Sequence, residues 1–249
     1  MSQIVLEVAR KFVKSNIGLF HDQRLESLKS LKLSKILQRK NPYLFKSKNI
    51  LTSEILIKTL LDAHLSSQEE TIFGDFLEKL AIFIAQNVFE GKKSSAEGID
   101  LEFDREDIHY IVSIKSGPNW GNSSQIKKMK DNFKQAQKIL RTGNSKLHVR
   151  AVNGCCYGRN GKEDKGDYHK LCGQQFWAFI SGDENLYTEI IEPLGYQAKK
   201  RNEDFDKRYA KIINQFSKSF MDHFCNQGEI NWGKLVQFNS GKNKTLLKI

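Results

Sequence analysis

The chain has 249 residues, 39% of them hydrophobic and 10% aromatic, which supports a substantial core and excludes a disordered chain. Forty lysines and arginines stand against 29 acids, giving a net charge of +11 and a pI near 9.4, a balance that suits a phosphate-rich partner such as nucleic acid. The longest apolar run, Leu80 to Ala85, is far too short to span a bilayer, so no membrane association is expected. Glu7, Arg10 and Lys11 interrupt the first apolar positions, so no signal-peptide core forms. Four cysteines without such a leader imply reduced thiols and a cytoplasmic location.

Residues 1–70 read as helical. Val5, Val8, Phe12 and Val13 recur at helical spacing. A second segment near 24–39 sets Leu25, Leu28, Leu31 and Leu33 among Lys29, Lys32, Lys35 and Arg39, cations that suit a solvated face better than a DNA contact. Asn41-Pro42 breaks it, and Thr52-Ser53 can cap a third helix holding Leu56, Leu60 and Leu61. Residues 72–89 form the strongest helix, with Phe73, Leu77, Leu80, Ala81 and Ile84 on its apolar side. Gly74, one turn before Glu78, lets another element or a ligand approach closely.

Next come two short strands, Gly98-Ile99-Asp100 onward and Tyr110-Ile111-Val112-Ser113-Ile114-Lys115, joined by the acidic turn Arg105-Glu106-Asp107. Strand alternation puts Ser113 and Lys115 on one face, where a tight hairpin sets them opposite Asp100. A carboxylate, a lysine and room for a metal are the parts needed to cut a phosphodiester. The following stretch, Ser116 to Ser124, is a loop by composition, with Ser123 or Ser124 available to cap a helix. That helix, to about Arg141, carries Lys127, Lys128, Lys130, Lys134, Lys138 and Arg141 against one acid, Asp131. Ile126, Met129, Phe133, Ala136 and Leu140 form its stripe, and Thr142-Gly143-Asn144 ends it. Leu147 to Val152 alternates as a strand. Gly154, Gly158, Gly161 and Gly166 mark residues 154–170 as a loop. Gln174 to Ile180 is a buried helix or strand, and Phe205 to Phe224 an amphipathic helix. The basic tail with Lys242, Lys244 and Lys248 reads as frayed.

The order helix, acidic strand, strand ending in x-Lys, helix, strand resembles the PD-(D/E)XK nuclease superfamily, and more narrowly a type II restriction endonuclease. Gly74 and Glu78, Gly98-Ile99-Asp100 and Ser113-Ile114-Lys115 carry the resemblance, which covers residues 72–153. The text from Val112 to Asn122 looks like that of restriction enzymes reading short GC-rich sites. The resemblance implies an α/β fold, a restriction-endonuclease-like central mixed β-sheet flanked by helices, with a helical N-terminal region. It implies one nuclease domain over 1–249, made of a helical part (1–70), a catalytic core (72–153) and a DNA-recognition and helical C-terminal part (154–249).

It further implies Mg²⁺ as cofactor, held by the Asp100 carboxylate and the Ile114 carbonyl, while Lys115 positions the attacking water and neutralises the phosphate. One departure stands out: Ser113 occupies the place of the usual second acid. A hydroxyl is a poorer Mg²⁺ ligand, so either the acid has moved or activity is weakened. Glu78 is the preferred replacement and Glu102, on the Asp100 strand face, the alternative. The helix after the lysine, which supplies the acid in some Ser-x-Lys enzymes, offers Asp131 and Gln125.

Other residues suit DNA contacts. Asn119, Trp120 and Asn122 follow Lys115 and can face the same cleft, although Trp120 equally suits a core plug; Lys127 follows on the next helix. The basic loop from Tyr157 to Lys170 offers Arg159 for guanine, Asn160 for adenine and Lys162 for phosphate. Cys155, Cys156, His169 and Cys172 could bind zinc, but adjacent cysteines do not make a chelating pair, and buried thiols are the better reading.

The expected function is that of a type II restriction endonuclease, hydrolysing double-stranded DNA with Mg²⁺ and leaving 5′-phosphate ends. It would act as a homodimer matching a palindrome, with a cognate DNA methyltransferase in the same system. Two other functions fit the same residues, a repair or recombination nuclease and a non-catalytic DNA-binding protein whose site decayed at Ser113.

Overall fold

A computed structural model describes residues 2–143 and 147–242; the Asn144 helix end and the tail lysines Lys244 and Lys248 lie outside the described residues. In chain order the first helices are α1 (Ser2–Lys29), α2 (Leu33–Arg39), α3 (Pro42–Ser47) and α4 (Ser53–Phe89). They lead into strands β1 (Lys92–Lys93), β2 (Leu101–Arg105) and β3 (Ile108–Lys115), then α5 (Ser123–Gly143), β4 (His148–Cys155) and β5 (His169–Cys172). The rest comprises α6 (Gln174–Ser181), α7 (Leu186–Glu189), α8 (Ile191–Leu194), α9 (Ala198–Phe224), β6 (Cys225–Asn226), β7 (Glu229–Ile230) and α10 (Trp232–Ser240).

Several boundaries follow the sequence signals. Asn41 caps α3 by accepting from the Tyr43 and Leu44 amides, with Pro42 at the first helical position. Thr52 Oγ1 accepts from Ile55 N at 3.3 Å at the start of α4. Others differ. The helices expected after Thr52 and over 72–89 are one 37-residue helix, because no proline or glycine falls between Ser53 and Gly74. The segment expected over 24–39 is broken instead, its first part belonging to α1 and its second to α2. The loop expected from Gly154 is shorter, since β4 runs on to Cys155 and β5 starts at His169. The helix expected from Phe205 begins at Ala198.

The chain forms two compact units, one of residues 1–20 and 73–196, the other of 21–72 and 197–249. The expected helical segment 1–70 therefore contributes to both. The first unit holds a mixed sheet in the order β1-β2-β3-β4-β5. The first three strands pair antiparallel, and β3–β4 and β4–β5 pair parallel. Here the α/β class with a helix-flanked mixed sheet is observed. On one side of the sheet, Val5, Ala9 and Val13 of α1, Leu77, Leu80 and Ile84 of α4, and Phe176 and Ile180 of α6 pack against Leu101, Val112 and Ile114. On the other, Met129, Phe133 and Ala136 of α5 pack against Ile111, Val149 and Ala151. Alternate residues of β3 thus enter opposite cores, as a doubly covered strand requires.

The second unit packs Leu33, Ile36 and Leu37 with Leu56, Leu60, Phe220, Phe224, Leu235 and Phe238. Its β6–β7 hairpin turns on Gln227 (φ 49°) and Gly228 (φ 85°). Among the described residues, no helix is long and apolar enough to cross a membrane.

Candidate active site

The β2–β3 hairpin is where sequence and geometry meet. Its turn residues Glu106 (φ 53°) and Asp107 (φ 59°) both take positive φ, the type I′ signature that matches the twist of paired strands. That turn fixes the register, Leu101 with Val112 and Phe103 with Tyr110. One step further, Asp100 lies across from Ser113, and the Asp100 N–H donates to the Val112 carbonyl at 2.8 Å. Asp100 Oδ2 in turn accepts from the Ile114 N–H at 2.6 Å. The carboxylate is thereby held at the open end of the hairpin.

Gly98 makes this approach possible. It sits at φ 72°, and a Cβ there would fall 2.1 Å from Asn132 Nδ2. Gly98→Ala is expected to cost more than about 1 kcal/mol through backbone strain alone. Urea unfolding checks this, and an unchanged midpoint would contradict it.

Lys115 ends β3 with Nζ 3.8 Å from Asp100 Oδ2 and 5.5 Å above the Trp120 ring. Glu78 comes from α4 on the same group. Its carboxyl is pushed above the ordinary range, first by burial and next by the nearby Asp100 carboxylate, while Lys115 and Lys93 pull the other way. Two carboxylates and an ammonium therefore converge from α4, the residue before β2 and the end of β3. Gly74 lies one turn before Glu78, and a Cβ there would approach Ser116 Cβ to 3.2 Å, so the loop after Lys115 packs at the level where the sequence placed a close approach.

Glu102, the alternative acid, is engaged elsewhere. It is buried, bonded to the Ser94 hydroxyl, with Oε2 3.4 Å from His109 Nε2. His109 Nδ1 is 2.8 Å from Asp104 on its other side. Glu78 feels the charges of both Asp100 and Lys115.

Ser113 is buried at 2% exposure, paired in register with Asn153 of β4. Asn153 belongs to no motif that the sequence reading singled out. It is 1% exposed, its Nδ2 donates to the Ser113 carbonyl at 3.1 Å, and its Oδ1 accepts from Trp120 Nε1 at 3.1 Å. Trp120 is thus partly a core plug and partly the floor beneath Lys115. A lone amide among the small and apolar residues Ala151 to Cys156 is the signal that could have found it. Asn153→Leu would leave the part-buried indole N–H without its acceptor, at about 1–3 kcal/mol. A lowered melting temperature together with slower cleavage is expected; a variant matching the parent in both would contradict the role.

The residues expected to contact DNA fall in three places. Asn119, Asn122 and Lys127 follow just beyond Lys115, before and at the start of α5. Asn122, however, caps α5: Oδ1 accepts from Gln125 N at 3.0 Å and Gln125 Oε1 accepts from Asn122 N at 2.9 Å, a reciprocal capping box. Neither Ser123 nor Ser124 is the cap. The Tyr157–Lys170 loop lies beside the Ser116–Asn122 loop. Tyr157 N donates to Ser116 O at 3.1 Å, and Lys170 Nζ donates to Pro118 O at 2.7 Å. Arg159 and Lys162 are exposed there, whereas the Asn160 amide bonds the Lys162 and Lys170 carbonyls and helps hold the loop's shape.

Cys155, Cys156 and Cys172 are buried free thiols. Burial, with Cys172 as neighbour, pushes the Cys155 thiol up to about 12, and burial raises Cys156 further, so both stay protonated. Among the described residues, no group of three or more His, Cys, Asp or Glu side chains is placed to hold a metal ion.

Residues 7–202 match the family described as Type II restriction endonuclease EcoO109I. The chain belongs to that family. It is therefore a type II restriction endonuclease by family, a nuclease acting on DNA. No curated protein matches the chain. The stretch matching the EcoO109I family spans the whole sheet and every candidate site residue from Glu78 to Lys162.

Proposed function

We propose that this EcoO109I-family chain is a PD-(D/E)XK nuclease of the Ser-x-Lys variant that cuts double-stranded DNA at a short specific site in a Mg²⁺-dependent reaction. The observation that carries the reading is the convergence of Asp100, Lys115 and Glu78 from three segments inside the family match.

The residues fit a divalent cation. A half-buried carboxyl whose proton affinity is raised by burial and by a second carboxylate is poised for a positive charge, and oxygen donors suit Mg²⁺. Asp100 and Glu78 would hold it, with the Ile114 carbonyl completing the protein ligands. Bound there, the ion would offset charge on the phosphate and lower the pKa of the attacking water.

The chain's own groups do the rest. The Lys115 ammonium, braced over Trp120, orients the water and neutralises the scissile phosphate. The buried Ser113 hydroxyl replaces a carboxylate and leaves the second acid to Glu78. Water attacks in line and the 3′ oxygen leaves, giving 5′-phosphate and 3′-hydroxyl ends. Asn119, Trp120, Asn122 and Lys127 border the backbone at the cut, and Arg159, Asn160 and Lys162 lie on the loop that reads bases. A homodimer would cut both strands of a palindrome, and a cognate methyltransferase would protect a host genome in the cytoplasm.

Incubating the protein with plasmid and phage DNA, with Mg²⁺ or with EDTA, tests the reading. Discrete Mg²⁺-dependent bands are expected. A smear would favour a repair-type nuclease, and intact DNA with retarded mobility a non-catalytic binder.

A further inference from the structure

Within the second unit, the end of α1, one face of α2 and the middle of α4 line a cleft of about 770 Å³. Its charged lining is of one sign: Lys32, Lys35, Arg39 and Lys40 face it with His64, and no aspartate or glutamate lines it. Elsewhere many of the protein's cations are matched, as in Arg24 with Glu69, Lys58 with Asp62, Lys128 with Glu97, and Lys130 and Lys134 with Asp167. Among the described residues, none of the four cleft cations forms an ion pair. Concentrating unpaired positive charge in a concavity costs self-repulsion, which an anion would relieve.

His64 is held below its ordinary pKa, first by burial and then by Arg39 and Lys40, so at neutral pH it adds a neutral ring in place of another repelling charge. Lys35 and Arg39 lie four residues apart on α2, where neighbouring side chains are about 5–6 Å apart at Cβ. That spacing suits successive phosphates of a nucleic-acid backbone. Ser67 adds a hydroxyl donor from α4.

We infer that this cleft is a second DNA-binding site, which holds backbone phosphates of the duplex and shares no residue with the Asp100–Lys115 cluster. The inference rests on duplex DNA being the substrate. Lys32, Lys35 and Arg39, expected from the sequence to form a solvated face, are on this account a phosphate-binding surface.

The test is binding of a mixed-sequence duplex in EDTA, followed by fluorescence anisotropy over a salt series. Three proteins are compared: the parent, Lys32→Gln/Lys35→Gln/Arg39→Gln, and a control of equal charge change on α9, Lys199→Gln/Lys200→Gln/Lys207→Gln. The cleft triple variant is expected to bind at least about tenfold more weakly, with the salt slope reduced by about 0.9 for each phosphate it no longer neutralises. The control should bind more tightly than the cleft variant and keep a slope near the parent's. Ser67→Glu, a single change at the cleft wall, should weaken binding in the same direction if the triple variant folds poorly. A cleft variant with the parent's affinity and slope, or a control weakened equally, would overturn the proposal. A parent that binds no DNA would overturn the substrate reading itself, a result distinct from either.

Discussion

Asp100→Asn should abolish DNA cleavage while leaving DNA binding and folding intact. Asparagine keeps a side-chain oxygen to accept from the Ile114 N–H, so the hairpin end retains its hydrogen bond. It loses the charge that would hold a cation and face Lys115 Nζ at 3.8 Å. Loss of several kcal/mol of transition-state stabilisation corresponds to a rate fall on the order of 10³-fold or more. Lys115→Ala should fall comparably, because the water and the phosphate lose their cationic partner. Single-turnover cleavage measures both, with a gel shift in EDTA reporting binding. Cleavage at the parent's rate in either variant would contradict the assignment.

Glu78→Gln separates function from stability more sharply. Burial and the Asp100 carboxylate raise the Glu78 pKa above its unfolded value. A raised carboxyl pKa means that the charged form disfavours the folded state. This cost is absent below the unfolded pKa and grows as pH rises through the folded one. At neutral pH without metal, Glu78→Gln should therefore melt a few degrees above the parent, and the gap should close in acid. Cleavage should fall on the order of 10²-fold or more, since a ligand is lost. Added Mg²⁺ should stabilise the parent by binding the folded state and stabilise the variant much less. A variant that cuts normally would return the missing acid to another residue, and one that melts below the parent would contradict the charge argument.

How much is legible in the sequence follows from how local each signal is. The hairpin can be read because Glu106-Asp107 between two apolar runs is a short-range turn signal, and Asp100 and Lys115 are placed by that turn and by alternation. Glu78 can be reached because its helix has a clear apolar side and Gly74 one turn earlier marks a close approach, which Ser116 makes. Thr52 as a cap and the buried thiols are likewise local. What escapes depends on partners distant in sequence. Asn153 gains its role only when β4 lies parallel to β3 and Trp120 folds back onto it. Strand β5 is four residues long and is defined by pairing with β4, with little pattern of its own. Glu102 shares the Asp100 strand face by period, but its engagement by Ser94 and His109 depends on partners outside that pattern. The Asn122–Gln125 capping box is written in the sequence but masked by the adjacent serines. Helix α4 reads as two because two apolar patterns, facing different cores, follow one another along it.

The central claim is that Asp100 and Glu78 together make a divalent-cation site. Calorimetric titration of Mg²⁺ into the parent, Asp100→Asn and Glu78→Gln tests it without needing the recognition sequence. The account predicts saturable binding to the parent and clear weakening in both variants. Equal binding by all three, or weakening in Asp100→Asn alone, would contradict the pairing of these two acids.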